Sequence, residues 1–180
     1  MRRIILNILT SLVIVCFVNS AGLAEDNLNK KNTTNDELQN TELNVFSGMF
    51  DFSDVKQRAA LFGLQHQNDE LFRKSALGKL SPITGGFLTE NSAFYLYTGV
   101  QAEYDLGLLT ITPSFAPGYY NYGNGKDLGY PLEFKTEVQV SFNLSDSTQL
   151  GMSYNHISNA SLGSKNPGAN SYMFNFLKQF

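Results

Sequence analysis

Apolar and polar side chains alternate strictly through much of this 180-residue chain. Leu132, Phe134, Thr136, Val138, Val140 and Phe142 share one parity, and Glu133, Lys135, Glu137, Gln139, Ser141 and Asn143 share the other. A period of two held over a dozen residues is a β-strand and admits no helical reading. Phe94, Leu96, Thr98, Val100, Ala102 and Tyr104 repeat the pattern against Tyr95, Tyr97, Gly99, Gln101 and Glu103. Leu109, Ile111, Pro113 and Phe115 oppose Thr110, Thr112, Ser114 and Ala116, although Pro113 suits a strand edge or bulge better than a ladder. Leu150, Met152 and Tyr154 oppose Gly151, Ser153 and Asn155, while Tyr172, Phe174, Phe176 and Phe180 oppose Ser171, Met173, Asn175 and Gln179. Weaker strands of mixed parity are expected near 43–52, 58–68 and 81–89, which brings the count to about eight.

Connections are tight at Asp105-Leu106-Gly107 and Ser145-Asp146-Ser147, and long at 118–131 and 159–169. Short turns on one rim and long loops on the other describe an up-and-down antiparallel barrel. Residues 43–180 shared among eight strands suit the smallest transmembrane barrels of the bacterial outer membrane. Periodicity alone does not say which face is inside. Glu133, Lys135 and Glu137 can pair with one another in a narrow lumen, whereas Tyr104, Phe115, Phe142 and Tyr172 near strand ends suit interfacial girdles. Phe180, in phase with Phe174 and Phe176, looks like the terminal aromatic read by the barrel-assembly machinery. The expectation is therefore an all-β, eight-stranded transmembrane barrel with its apolar face outward. The competing reading is a soluble, lipocalin-like barrel with the faces reversed.

The ends and the composition fit this picture. Met1-Arg2-Arg3, an apolar stretch from Ile4 to Val18, and the small residues Gly22 and Ala24 form an expected signal peptide over 1–24, cleaved after Ala24. Cys16 lies inside it without a small residue just before it, so no lipid attachment is expected and the mature chain has no disulfide. Residues 25–42 are polar and read as a disordered lead, leaving 43–180 as the barrel domain. The formal charge of the whole chain is −3, and removing Arg2 and Arg3 leaves 11 basic against 16 acidic residues, so no nucleic-acid partner is expected. His66 has no Cys or acidic cluster beside it, so neither a metal nor a cofactor is expected.

One cluster breaks the apolar stripe. His156 and Ser158 continue the outward parity of Leu150, Met152 and Tyr154. Side chains two apart on a strand share a face and can interact, and a His–Ser pair is the minimum for base-activated nucleophilic attack. With the C-terminus periplasmic, both fall at the outer-leaflet end, where lipopolysaccharide presents acyl esters. The bland reading is two polar residues at the headgroup level.

His156-Ile157-Ser158-Asn159-Ala160 followed by Asn166-Pro167-Gly168 resembles the signature of the outer-membrane lipid A 3-O-deacylase family. The resemblance extends through Leu109–Phe115, Asp127-Leu128-Gly129 and Leu132-Glu133-Phe134 and covers roughly 43–180. It implies a serine esterase that removes a fatty acid from lipid A, with Ser158 as nucleophile and His156 as base. It also implies oxyanion or substrate-binding roles for Asn159, Ala160 and Asn166. The family's acidic residue falls at Asn170, whose oxygen can orient the ring but cannot offset imidazolium charge, so a slow or silent site is in view. The alternative function is a non-catalytic small barrel that binds lipid or supports the envelope. Lys126 and Lys165, in the long loops, are candidates for lipid A phosphates.

Overall fold

A computed structural model describes residues 41–68, 73–75 and 78–180, with backbone alone at 73–75. The expected signal peptide and almost all of the polar lead lie outside these residues. The strands are β1 (Thr41–Phe50), β2 (Ala59–Asn68), β3 (Arg73–Ser75), β4 (Gly78–Thr89), β5 (Phe94–Asp105), β6 (Leu109–Asn121), β7 (Leu132–Ser145), β8 (Thr148–Ser158) and β9 (Ala169–Gln179). Every neighbouring pair is antiparallel; β1 pairs with β9, and β2 pairs with β4, which closes eight full-length strands into a barrel. The three-residue β3 pairs only with the start of β4. The ladder begins at Thr41, before the expected barrel start at Leu43, because Thr41 and Glu42 pair with Asn68 and Gln67.

Closure decides which face is inside. Glu133, Lys135, Glu137, Gln139 and Ser141 on β7 are buried in the lumen, while Val138 and Phe142 are more than half exposed, at 51% and 59%. Leu150, Met152, Phe174 and Phe176 likewise face outward. An eight-stranded lumen is just wide enough for side chains to fill it, and here they form a bonded plug. Asn44 donates to Gln139 and Asn175, Gln65 to Gln101, and Tyr97 to Gln65. Lys135 Nζ lies 3.3 Å from Glu137 and 4.1 Å from the centre of the Tyr97 ring. Breaking the buried Lys135–Glu137 pair would cost about 3–5 kcal/mol. The expected ladder of three charges is shorter than anticipated. Glu133 does not join Lys135; both its carboxylate oxygens are buried without a hydrogen bond, as is Asn159 Oδ1.

Pro113 and Pro117 both sit within β6. The ladder from β6 to β7 is continuous, but the ladder to β5 lapses opposite each proline. A proline has no N–H to donate, so one side of the strand opens where it occurs. One departure concerns the rims. The long loops 51–58, 122–131 and 159–168 share a rim, yet the β4–β5 turn on that rim is short. Thr89 closes it: its Oγ1 accepts the Ala93 N–H (3.0 Å) and its own N–H donates to Ala93 O (2.8 Å), with Ser92 left-handed at φ 60°.

Candidate active site

Strand β8 carries His156 and Ser158 to the long-loop rim, both half-buried on the outward face. The register of β9 sets Asn170 directly opposite His156, not diagonal to it as a pairing of Ser158 with Asn170 would have made it. The contact is immediate: His156 Nδ1 lies 2.8 Å from Asn170 Oδ1. An amide oxygen only accepts, so the ring nitrogen facing it donates, and the lone pair is left on Nε2. No hydrogen bond joins Ser158 to His156 at rest, as is common in unliganded sites.

Gly168 decides where the ring leans. It is left-handed at φ 63°, and the β8–β9 register extended by one pair places it across from Ser158. A Cβ there would lie 2.9 Å from His156 Cε1 and 3.4 Å from Nε2. The imidazole therefore occupies the space that the missing side chain leaves, with its Cε1–Nε2 edge toward Gly168, the residue across from Ser158. For the esterase that the motif implies, Gly168→Ala is expected to displace the ring and lower turnover by about 10²-fold, the cost of a misplacement of roughly an ångström. Fatty-acid release from lipid A by a variant with normal heat-modifiable gel mobility checks this.

The turn after Ser158 is strained. Ala160 and Ser161 are both left-handed, at φ 51° and 64°, and Leu162 N–H closes the turn on Asn159 O at 2.9 Å. A non-glycine residue in this region costs on the order of 1 kcal/mol or more, and such strain gathers at functional sites. The turn is held from below by Asn159, which is fully buried. Its N–H donates to Asn166 Oδ1 (3.1 Å), and its side chain donates to Leu128 O (2.8 Å) and Lys165 O (2.9 Å). All of Asn159's donors are thus engaged in the loops, which leaves it no free donor for the oxyanion role that the motif implies. Within the turn, the N–H groups of Ala160 and Ser161 have no backbone acceptor among the described residues.

The Asp127-Leu128-Gly129 segment gains a physical meaning here. Asp127 accepts the Gly129 N–H at 2.8 Å and pairs with Lys165 at 2.7 Å. The Lys165 ammonium, then the Gly129 N–H, hold the Asp127 carboxyl below the usual carboxylate range. Leu128 is buried beneath the loops, and Gly129 has no room for a Cβ, which would collide with Lys165 O. Lys126 is engaged as well, 2.6 Å from the buried Asp51. Neither loop lysine is free of a carboxylate partner.

Sequence reasoning missed a whole wall of the site. The β1–β2 loop, residues 51–58, grips Asn170: Phe52 N–H donates to Asn170 O (3.0 Å), and Asn170 N–H reaches Asp51 Oδ1 (3.4 Å). Asn170 Nδ2 makes a long contact with Ser53 Oγ (3.5 Å), and Tyr154 O–H donates to Asn170 Oδ1 (2.8 Å). The Phe52 ring packs on Tyr154 and Tyr172, with centroids 6.2 and 5.4 Å away. Tyr154 was legible as an outward residue two before His156. Asp51, Phe52 and Ser53 carry no local signal, being over a hundred residues from Asn170 in sequence.

Comparison with protein families matches residues 60–178 to lipid A 3-O-deacylase (PagL). The chain belongs to that family. It is an outer-membrane barrel, and the family's activity is hydrolysis of an acyl ester of lipid A. Among solved structures, it is similar to the outer membrane enzyme PagL, at 18% identity and a TM-score of 0.58, over 76% of this chain and 98% of that one. It is also similar to a de novo designed transmembrane β-barrel, at 11% identity and a TM-score of 0.53, over 82% of this chain and 100% of the other. At such identities the likeness speaks for the fold. A comparison with curated proteins finds no match.

Proposed function

We propose that the protein is a serine esterase that removes a fatty acyl chain from lipid A, with Ser158 as nucleophile and His156 as general base. The observation that carries this reading is the 2.8 Å contact between His156 Nδ1 and Asn170 Oδ1. It holds the tautomer in which Nε2, beside Gly168, accepts a proton. In the reaction, Ser158 Oγ bonds to the ester carbonyl carbon while its proton passes to His156 Nε2. The carbonyl oxygen becomes an oxyanion. The free N–H of Ala160, in the strained turn, and the Asn166 side chain beside it are the donors that remain to stabilise that charge. Collapse breaks the bond to the sugar oxygen, which takes the proton from His156. Water then attacks the acyl–Ser158 ester, passing a proton to His156 Nε2; the acyl–Oγ bond breaks, Ser158 Oγ takes that proton back, and the fatty acid leaves.

Position supports lipid as the substrate. Ser158 pairs with Phe134, whose ring stacks on Phe115 at 6.1 Å, so an apolar outward surface begins at the nucleophile. Beside it, Gly118, Tyr119, Tyr130, Pro131 and Leu132 line an outward cleft of about 290 Å³. An acyl chain lying against this wall stays in the bilayer while its ester reaches Ser158.

Mass spectrometry of lipid A from cells with and without the protein tests the reading. The expected result is loss of one acyl chain when the protein is present and full acylation with Ser158→Ala. Unchanged lipid A in both would favour a non-catalytic barrel.

A further inference from the structure

Asn170 differs from a carboxylate in one respect besides charge: its two ends are unlike. Either oxygen of an acid accepts, so an acid has no wrong orientation. An amide turned about its Cβ–Cγ bond presents N–H₂ to whatever Oδ1 faced. Turned that way, Asn170 would donate to His156 Nδ1, place the lone pair there and put the ring proton on Nε2. A protonated Nε2 cannot take the proton of Ser158. The site therefore needs something that chooses the end.

Resting on the esterase reading above, we propose that Tyr154 is a positioning residue that sets the tautomer of His156 by holding the oxygen of Asn170 toward the ring. Its hydroxyl donates to Asn170 Oδ1 at 2.8 Å, the same oxygen that meets His156 Nδ1 at 2.8 Å. Two donors thus converge on one end of the amide. At the other end, Nδ2 has an acceptor in Ser53 Oγ at 3.5 Å, a longer and weaker contact. The phenol is placed by its neighbours. Tyr154 lies two residues before His156 on β8, directly opposite Tyr172 on β9, and the Phe52 ring meets it edge-on. In the turned amide the phenol would have to accept, and its own proton would point away from its one partner here. A single hydrogen bond favours one orientation by a factor of about five.

Tyr154→Phe keeps the ring under Phe52 and removes the donor. The test uses the full barrel in detergent micelles with ¹⁵N-labelled histidine, His156 being told from His66 by a His66→Gln variant. In the wild type, at a pH where imidazole is neutral, the His156 spectrum should show a protonated Nδ1 and a bare Nε2. In Tyr154→Phe the two nitrogen signals should move toward each other as the tautomers mix, and kcat on lipid A should fall about twofold with KM little changed, the competent fraction dropping from about five-sixths to about one-half. In an Asn170→Asp background, where both oxygens accept, the same change should leave the Nδ1–H tautomer in place. An unaltered His156 spectrum in Tyr154→Phe overturns the proposal, and so does an equal loss of kcat in both backgrounds, which would mark Tyr154 as packing alone. The spectra do not depend on turnover. A wild type that hydrolyses nothing yet shows the shift would sink the esterase reading and leave this one standing.

Discussion

Ser158→Ala and His156→Ala are each expected to reduce fatty-acid release from lipid A by about 10³-fold or more, to near background. Members of a nucleophile–base pair act as a unit, so losing either removes nearly all that the pair supplies. Neither side chain supports the barrel. Both are half-buried at the outward rim, and the plug of the lumen is made by residues of the opposite parity. The variants should therefore reach the outer membrane in normal amounts with normal heat-modifiable mobility. Purified wild type and variants, in detergent with lipid A as substrate, make the comparison direct. Equal residual release from all three would mean that the activity, if present, lies elsewhere.

Asn170→Asp should accelerate the reaction by about 10²–10⁴-fold. In serine proteases with a Ser-His-Asp triad the reverse change, Asp to Asn, costs about 10⁴ in turnover, because the amide neither fixes the tautomer uniquely nor offsets the imidazolium. Here the tautomer is already held by geometry, so the missing part is charge. Aspartate has the shape of asparagine. One oxygen would accept from His156 Nδ1 and Tyr154 O–H at the present 2.8 Å, and the other would accept a hydrogen bond from the Ser53 hydroxyl, which now faces Nδ2. Asn170→Glu supplies the same charge but adds a methylene between β9 and the ring. It should gain less unless the β1–β2 loop shifts. Steady-state turnover of the three proteins decides the matter. No gain from either acid would show that imidazolium charge does not limit the rate, and that this barrel works, or rests, on its amide.

Strand parity was legible because it is local: a pleat has a period of two whatever it packs against. The faces of β5 to β9, the outward placement of His156 and Ser158, and Asn170 on the same outward parity all follow from it. So does the family, since the His-x-Ser-Asn-Ala and Asn-Pro-Gly segments sit on one hairpin and are read along one stretch of chain. Only closure of the sheet could decide which face became the lumen, because alternation looks the same from both sides. Only the register of β9 on β8 put Asn170 opposite His156, and only the folded loops used up the donors of Asn159 and left Glu133 without Lys135. Asp51, Phe52 and Ser53 reach Asn170 because β1 closes against β9, a contact between the two ends of the barrel that no neighbouring residue announces. Periodicity says which way a side chain points; what it meets there is set by the strands that arrive from elsewhere in the chain.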